Sequence, residues 1–228
     1  MATGVISGMN ATNDQARFNM IEQQIRPWGV LDGRVLAVMS EIRRELFVPD
    51  GYQGLAYADI EIPIGRSGML APKVVGRMLQ ALDVRASDRV LEIGSGTGYV
   101  TACLARLGSR VVGVEIDSEL AAIARERLQS LGLERVEILI RDAMAGPIDA
   151  GPFDVIAVTG SLTDDEPLPM LQSQLTVGGR LFVIIGEEPL MRASLITRTA
   201  SGDFRHEALF ETSAPALENL PEPERFVF

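Results

Sequence analysis

The stretch whose reading decides the fold is Arg89-Val90-Leu91-Glu92-Ile93-Gly94-Ser95-Gly96-Thr97-Gly98. It opens with residues of strand type, and glycines then alternate with small hydroxyl residues. Directly after it, Tyr99-Val100-Thr101-Ala102-Cys103-Leu104-Ala105-Arg106-Leu107 carries a helical pattern. Strand, tight turn and helix thus follow without a spacer. Glycines lack Cβ atoms, so such a turn can take positive φ and a ligand can lie close to its backbone. The helix behind it points free N–H groups at whatever occupies the turn.

Two ligand types use turns of this kind. A dinucleotide site wants G-x-G-x-x-G with a pyrophosphate on the helix N-terminus. Here Tyr99 stands where the third glycine would fall, and the spacing is G-x-G-x-G. Glu92 precedes the turn, where a carboxylate repels a pyrophosphate but can hold an ammonium. That combination suits S-adenosyl-L-methionine, which carries a zwitterionic amino-acid end and a sulfonium. A nicotinamide oxidoreductase is the competing reading, opposed by Tyr99 and Glu92.

From Arg89 onward strands and helices alternate. Strands are expected at Arg89–Ile93, Arg110–Glu115, Val136–Ile140, Phe153–Val158 and Arg180–Ile185, with helices at Tyr99–Leu107, Ser118–Leu131 and near Met170–Leu175. Runs at Ala193–Arg198 and Arg205–Phe210 read as an antiparallel hairpin on the sheet edge. The fold class is therefore α/β, a doubly wound, mostly parallel seven-stranded sheet of Rossmann-like type, with an N-terminal helical cap. Residues 1–13 are expected to fray, and 14–228 to form one domain. Its expected parts are a helical segment 14–82, a core 83–214 and a tail 215–228 whose Phe226-Val227-Phe228 end is expected to dock. Asn13 or Asp14 would cap a first helix through about Gln24, with Phe18, Ile21 and Ile25 on one face. Asp32 would cap a second at Val35–Met39. Gly51–Asp59 reads as loop, and Ile60–Pro72 as an extended run ending at a helix, Lys73–Leu82, with Ala71 as a poor N-cap.

In open parallel sheets ligands sit at the carboxyl ends of the strands. The second strand ends at Glu115-Ile116, and a carboxylate there can accept both hydroxyls of a ribose. The third ends before Asp142-Ala143, where Asp142 can take an adenine amino group and Ala143 leaves room for the ring. The fourth ends at Thr159-Gly160, beside the site.

Composition narrows the classes. The chain has 228 residues, is 46% hydrophobic and carries a formal net charge of −10, which opposes general nucleic-acid binding and anionic membrane surfaces. A single cysteine, Cys103, excludes an internal disulfide and a cysteine metal cluster, and its place among Ala and Leu reads as buried and inert. With one histidine and scattered acids no metal site is expected. Asp164-Asp165-Glu166 reads as a solvated loop near the acceptor mouth, and His206 as an edge residue of the hairpin. Without a basic, apolar leader the chain is expected in the cytoplasm, as a monomer.

Read together, Met20-Ile-Glu-Gln-Gln-Ile-Arg26, Leu46-Phe-Val-Pro49, Leu55-Ala-Tyr57, Ile62-Pro-Ile-Gly65, Val90–Gly98, Phe153-Asp-Val155 and Gly178-Gly-Arg-Leu181 resemble the protein-L-isoaspartate O-methyltransferases. These are class I S-adenosylmethionine-dependent enzymes that methylate the carboxylate of damaged isoaspartyl residues. The resemblance implies S-adenosyl-L-methionine as cofactor, and as acceptor a protein or peptide with a free carboxylate, or a small molecule. By it Glu92, Gly94, Ser95, Gly96, Glu115 and Asp142 hold the cofactor, joined by Leu70, Thr97, Gly98, Ile116, Ala143 and Thr159. One departure stands out. These enzymes usually read Thr-Ile-Ser-Gln-Pro after Pro-Ile-Gly, the Ser being the active-site residue. This chain reads Met69-Leu70-Ala71-Pro72, so the Ser position falls at Ala71 or, where a one-residue gap intervenes, is lost nearby, and Ser67 is the nearest substitute hydroxyl. The departure leaves open a second class of function, a cofactor-binding protein that acts through a partner without turnover.

Overall fold

The computed structural model describes residues 12–220. The expected α/β sheet is present: seven strands in the order β5-β4-β3-β6-β7-β8-β9. In chain order its strands are β3 (Arg89–Ile93), β4 (Arg110–Glu115), β5 (Val136–Ile140), β6 (Phe153–Leu162), β7 (Leu175–Ile185), β8 (Met191–Ala200) and β9 (Asp203–Thr212). The pairs from β5 through β7 are parallel, while β8 and β9 run antiparallel and close one edge as the expected hairpin. The order reverses at β3, whose neighbours are β4 on one side and β6 on the other. That reversal opens a crevice at the strands' carboxyl ends.

Alternation along each strand sends side chains to two apolar clusters. Val90, Val155, Ala157, Phe182 and Ile184 join one, and Leu91, Ile156, Val158, Leu181 and Val183 join the other. The first cluster also takes in α2 (Gly33–Glu41), α3 (Pro72–Leu82), α4 (Tyr99–Leu107), α5 (Ser118–Ser130) and most buried residues of the N-terminal third. The second is covered mainly by α6 (Leu168–Ser173) and loops. In α3 the apolar positions Val74, Val75, Met78, Leu79 and Leu82 are buried together, as their spacing requires. Ala71 is its N-cap and makes no side-chain capping bond.

The N-terminal third differs from its expected form in several places. Helix α1 (residues 12–19) already runs through Asn13 and Asp14, so neither caps it, and Asp14 pairs with Arg17 instead. The regular helix stops at residue 19. A π-helical stretch Met20–Ile25 follows and shifts the apolar face, which buries Ile21 and Ile25 and leaves Phe18 59% exposed. Asp32 does cap α2 by accepting from the Arg34 N–H, but the helix starts at Gly33 and runs to Glu41. The loop expected at Gly51–Asp59 contains a 3-10 helix, Asp50–Leu55. Within Ile60–Pro72 a small hairpin forms, β1 (Ile62–Ile64) against β2 (Ser67–Met69), turning on Gly65. The tail end Phe226–Phe228 and residues 1–11 lie outside the described residues.

One strand glycine has a packing reason. A Cβ on Gly113, in the middle of β4, would collide with Ser95 Oγ and stand 2.6 Å from Ile138 Cδ1. The glycine turn after β3 thus rests in space that Gly113 leaves free. Gly113→Ala is expected to lower stability by about 1–3 kcal/mol, the usual cost of overpacking, read as a lower denaturant midpoint at unchanged slope.

Candidate functional site

The turn after β3 takes positive φ at Gly94 (88°), Gly96 (53°) and Gly98 (93°), a region that side-chain-bearing residues seldom visit. Its course is fixed from both neighbouring strands. The Gly94 and Ser95 N–H groups donate to Val114 O of β4 at 2.9 and 3.1 Å. From β6, Thr159 Oγ1 donates to Ile93 O at 2.9 Å and Gly94 O at 2.6 Å. Glu115 accepts from the Gly96 N–H at 2.7 Å and, through its other oxygen, from the Asp117 N–H at 3.0 Å. The acid expected at the end of the second strand therefore also holds the turn in place, and its carboxylate is oriented before any ligand arrives.

Two adjoining cavities flank this turn. The larger has a volume of about 70 Å³ and opens to solvent. Glu115, Ile116, Asp142, Ala143, Gly94 and Gly96 line it, as does Thr159. Sequence thus led to residues from four separate strand ends that the fold brings to one cavity. Asp142 caps the short 3-10 helix Ala143–Ala145 through Oδ1, and its Oδ2 accepts from Asn219 at 2.9 Å. Lone-pair positions remain on that carboxylate for a further donor.

The smaller cavity, on the inner side of the turn, has a volume of about 30 Å³, and Leu70, Glu92, Ser95, Thr97, Arg44 and Tyr99 border it. Glu92 is fully buried on the same sheet face as Val90, with Oε2 accepting from Thr101 at 2.5 Å. Four buried polar atoms of its lining, Glu92 Oε1, Thr97 Oγ1, Arg44 Nη1 and the Tyr99 hydroxyl, have no hydrogen-bond partner among the described residues. Buried polar atoms are normally satisfied, so their convergence points to a ligand. Zwitterionic and nucleoside groups fit the donor set: a carboxylate for hydroxyls in one cavity, and in the other an acid and a buried cation left unpartnered. The glycines contribute by omission, since a Cβ on Gly96 would lie 2.7 Å from Ile64 Cδ1. Gly98 lies outside both cavities, and its Cα faces Ala124 of α5.

Ser67 sits on β2 and lines the larger cavity, whereas Ala71 lines neither. Cys103 is buried, and burial pushes its thiol up to about 12, which keeps it protonated and inert. His206 is exposed on β9, opposite Ile196 and outside both cavities. Among the described residues no group of three His, Cys, Asp or Glu side chains is placed to hold a metal ion, and no helix is long and apolar enough to cross a membrane.

Sequence reasoning missed two contributors. Arg44 is one. The other is the segment after β9, which crosses the mouth of the larger cavity. Ser161 N–H donates to Pro215 O at 2.8 Å and Leu217 N–H returns a bond to Ser161 O at 3.0 Å. Leu217 then lies over Gly94 and Gly160, and Glu218 pairs with Arg66 at 2.8 Å. No periodicity announces such a segment, because it belongs to no regular helix or strand.

The chain matches the family described as protein-L-isoaspartate(D-aspartate) O-methyltransferase over residues 15–213. A relative from Pelobacter propionicus, named protein-L-isoaspartate O-methyltransferase 2, is 41% identical over 192 residues, covering 83% of this chain and 84% of that one. One from Aeropyrum pernix, named protein-L-isoaspartate O-methyltransferase, is 40% identical over 196 residues, covering 84% and 75%. A solved protein-L-isoaspartate O-methyltransferase superposes with TM-score 0.77 at 26% identity, over 89% of this chain and 66% of that chain. A structure from Plasmodium falciparum, of a candidate enzyme of that name with S-adenosyl-L-homocysteine, superposes with TM-score 0.76 over 90% and 98%. At 21% identity that likeness concerns the fold alone.

Burial, with the nearby Glu115 charge adding to it, raises the Glu92 carboxyl to about 8 against the opposing hydrogen bond from Thr101. An unfolded glutamate titrates near ~4.3. Between those values the native protein holds a proton that the unfolded chain releases, so stability falls as pH rises through this window. Glu92→Gln is expected to flatten the fall between about pH 5 and 8, read by urea unfolding of the ligand-free protein across that range.

Proposed function

This chain belongs to the protein-L-isoaspartate(D-aspartate) O-methyltransferase family, and from that premise we infer that it transfers a methyl group from S-adenosyl-L-methionine to a carboxylate of a protein or peptide. The observation that carries the inference is the pair of cavities at the glycine turn, one ending in Glu115 and the other in Glu92. We place the protein in the cytoplasm as a monomer, with isoaspartyl sites as the acceptor class.

Bound S-adenosyl-L-methionine supplies an electrophilic methyl group on a positively charged sulfur. The residues of this chain do the rest. Glu115, already oriented by the Gly96 and Asp117 N–H groups, would accept the ribose hydroxyls. Asp142 and Ala143 would hold and admit the nucleobase, and Glu92 would face the amino group. The Leu217 segment limits water at the mouth of the larger cavity. Glu115→Ala is expected to weaken S-adenosylhomocysteine binding by about ten- to a hundred-fold, the worth of hydrogen bonds to a charged group, in calorimetric titration. Unchanged affinity would remove Glu115 from the site.

We place Ala71 where related enzymes carry their active-site Ser. Methyl transfer to a carboxylate depends chiefly on placing the attacking oxygen near the methyl. An acceptor with a pKa of ~4 is already ionised and needs no general base. Loss of one orienting hydroxyl therefore costs alignment rather than the reaction itself. Ser67 lines the larger cavity but stands on β2, away from the start of α3. Ala71→Ser is expected to raise kcat/KM on an isoaspartyl peptide by about ten-fold or more, while Ser67→Ala leaves it within about two-fold, measured by transfer of labelled methyl. Saturable cofactor binding with no labelled product, from the wild-type protein and from the Ala71→Ser variant alike, on isoaspartyl and other carboxylate peptides, would favour a binding protein that acts through a partner.

A further inference from the structure

Arg44 is the largest fully buried side chain among the described residues, and it has no carboxylate partner there. It leaves the 3-10 helix Arg44–Leu46 and runs inward beneath the glycine turn. Nε donates to Ala56 O and Nη2 to Leu70 O, each at 2.9 Å. The guanidinium lies 4.9 Å from the centre of the Tyr99 ring. Nη1 is buried, without a partner, and borders the smaller cavity. A buried guanidinium cannot shed its charge as a carboxyl can, and a buried charge is normally paired. Two carbonyl dipoles and one ring face do not complete that pairing.

Glu92 borders the same cavity with Oε1 likewise unpartnered, and no ion pair joins it to Arg44. The cavity therefore presents one unpaired cation and one unpaired acid that do not satisfy each other. A lone anion, such as an acceptor carboxylate, would answer Arg44 and leave Glu92 without a donor. A lone cation would do the reverse. An α-amino acid zwitterion supplies both at the separation of one carbon. The cavity adjoins the larger one across Gly94 and Gly96, which line both.

We propose that Arg44 binds the carboxylate of the cofactor's methionine end, with Glu92 facing its ammonium. The inference rests on the cofactor reading above and adds Arg44 as the residue that selects the amino-acid end. Thr97, whose hydroxyl is also unpartnered, completes the anion's surroundings. Leu70 immediately precedes Ala71, so the bond from Arg44 to Leu70 O also couples this contact to the start of α3.

The test compares ligands that differ only in the groups concerned, by calorimetric titration. On the unaltered protein, decarboxylated S-adenosylmethionine is expected to bind about ten- to a hundred-fold more weakly than S-adenosylmethionine. Equal affinity overturns the assignment. Arg44→Met is expected to lose a similar factor for S-adenosylhomocysteine and to keep the wild-type affinity for 5′-methylthioadenosine, which has no amino-acid end. Retention of that second affinity also shows that the variant is folded. Arg44→Lys, which keeps the charge, is expected to recover part of the loss. If Arg44→Met binds S-adenosylhomocysteine as wild type does but raises KM for the peptide, Arg44 serves the acceptor and the proposal fails. A wild-type protein that binds neither S-adenosylmethionine nor S-adenosylhomocysteine removes the cofactor reading itself, a failure distinct from the others.

Discussion

Three left-handed backbone residues within five positions, Gly94, Gly96 and Gly98, constrain everything near them. A chain that turns so sharply from β3 into α4 disfavours side chains at those points, and one bond within the turn, from the Gly98 N–H to Ser95 O, is joined by others from neighbouring strands. The turn is held from outside by Val114 O and Glu115 of β4 and by the Thr159 hydroxyl of β6. Gly113 leaves the room in which Ser95 rests. The sheet order supplies these bonds, because β3 lies between β4 and β6. The turn is thus a shared product of three strands, and its geometry is set before a ligand is present.

That rigidity shapes the electrostatics beneath it. Protein interiors satisfy their polar atoms or exclude them, yet the smaller cavity keeps an acid and a guanidinium without full partners. Glu92 meets the cost by holding its proton up to about 8. Arg44, whose pKa burial lowers from a very high starting value, leans on carbonyl oxygens and an aromatic face. Strain of this kind persists where the surrounding fold over-determines the groups that bear it. Here the surroundings are the first apolar cluster, which packs the N-terminal third against the sheet.

The parts of this arrangement legible in the sequence are those with a period or a motif. Strands β3, β4, β6 and the second half of β7 are buried on both faces and read as apolar runs, so their existence is plain, while their ends slip: β6 runs on to Leu162 and β7 begins at Leu175. Glycine spacing and the acids closing successive strands gave Glu92, Glu115 and Asp142 a shared location. The hairpin of β1 and β2 was hidden because each strand has three residues and the first contains Pro63. The π-helical shift at Met20–Ile25 re-phases a face that ordinary helical spacing assigns to Phe18. In Arg43-Arg44-Glu45 the middle residue is fully buried while the partly exposed Arg43 pairs at 2.9 Å with Glu45, which is also buried. Composition cannot tell two adjacent arginines apart, because tertiary packing alone decides which one turns inward.

The first apolar cluster runs without a break from Met20 and Ile25 through α2 and α3 to Val155 and Phe182 of the sheet. A segment so embedded is not an exchangeable module. Lineages that graft a new front end onto an old catalytic core need a seam where few contacts cross, and this chain has none between its N-terminal third and the strands behind it. Divergence in what the protein accepts must therefore proceed by substitution in place, one packed residue compensating another. Ala71, which begins α3 without a side-chain capping bond, marks a position where such a step leaves the helix intact.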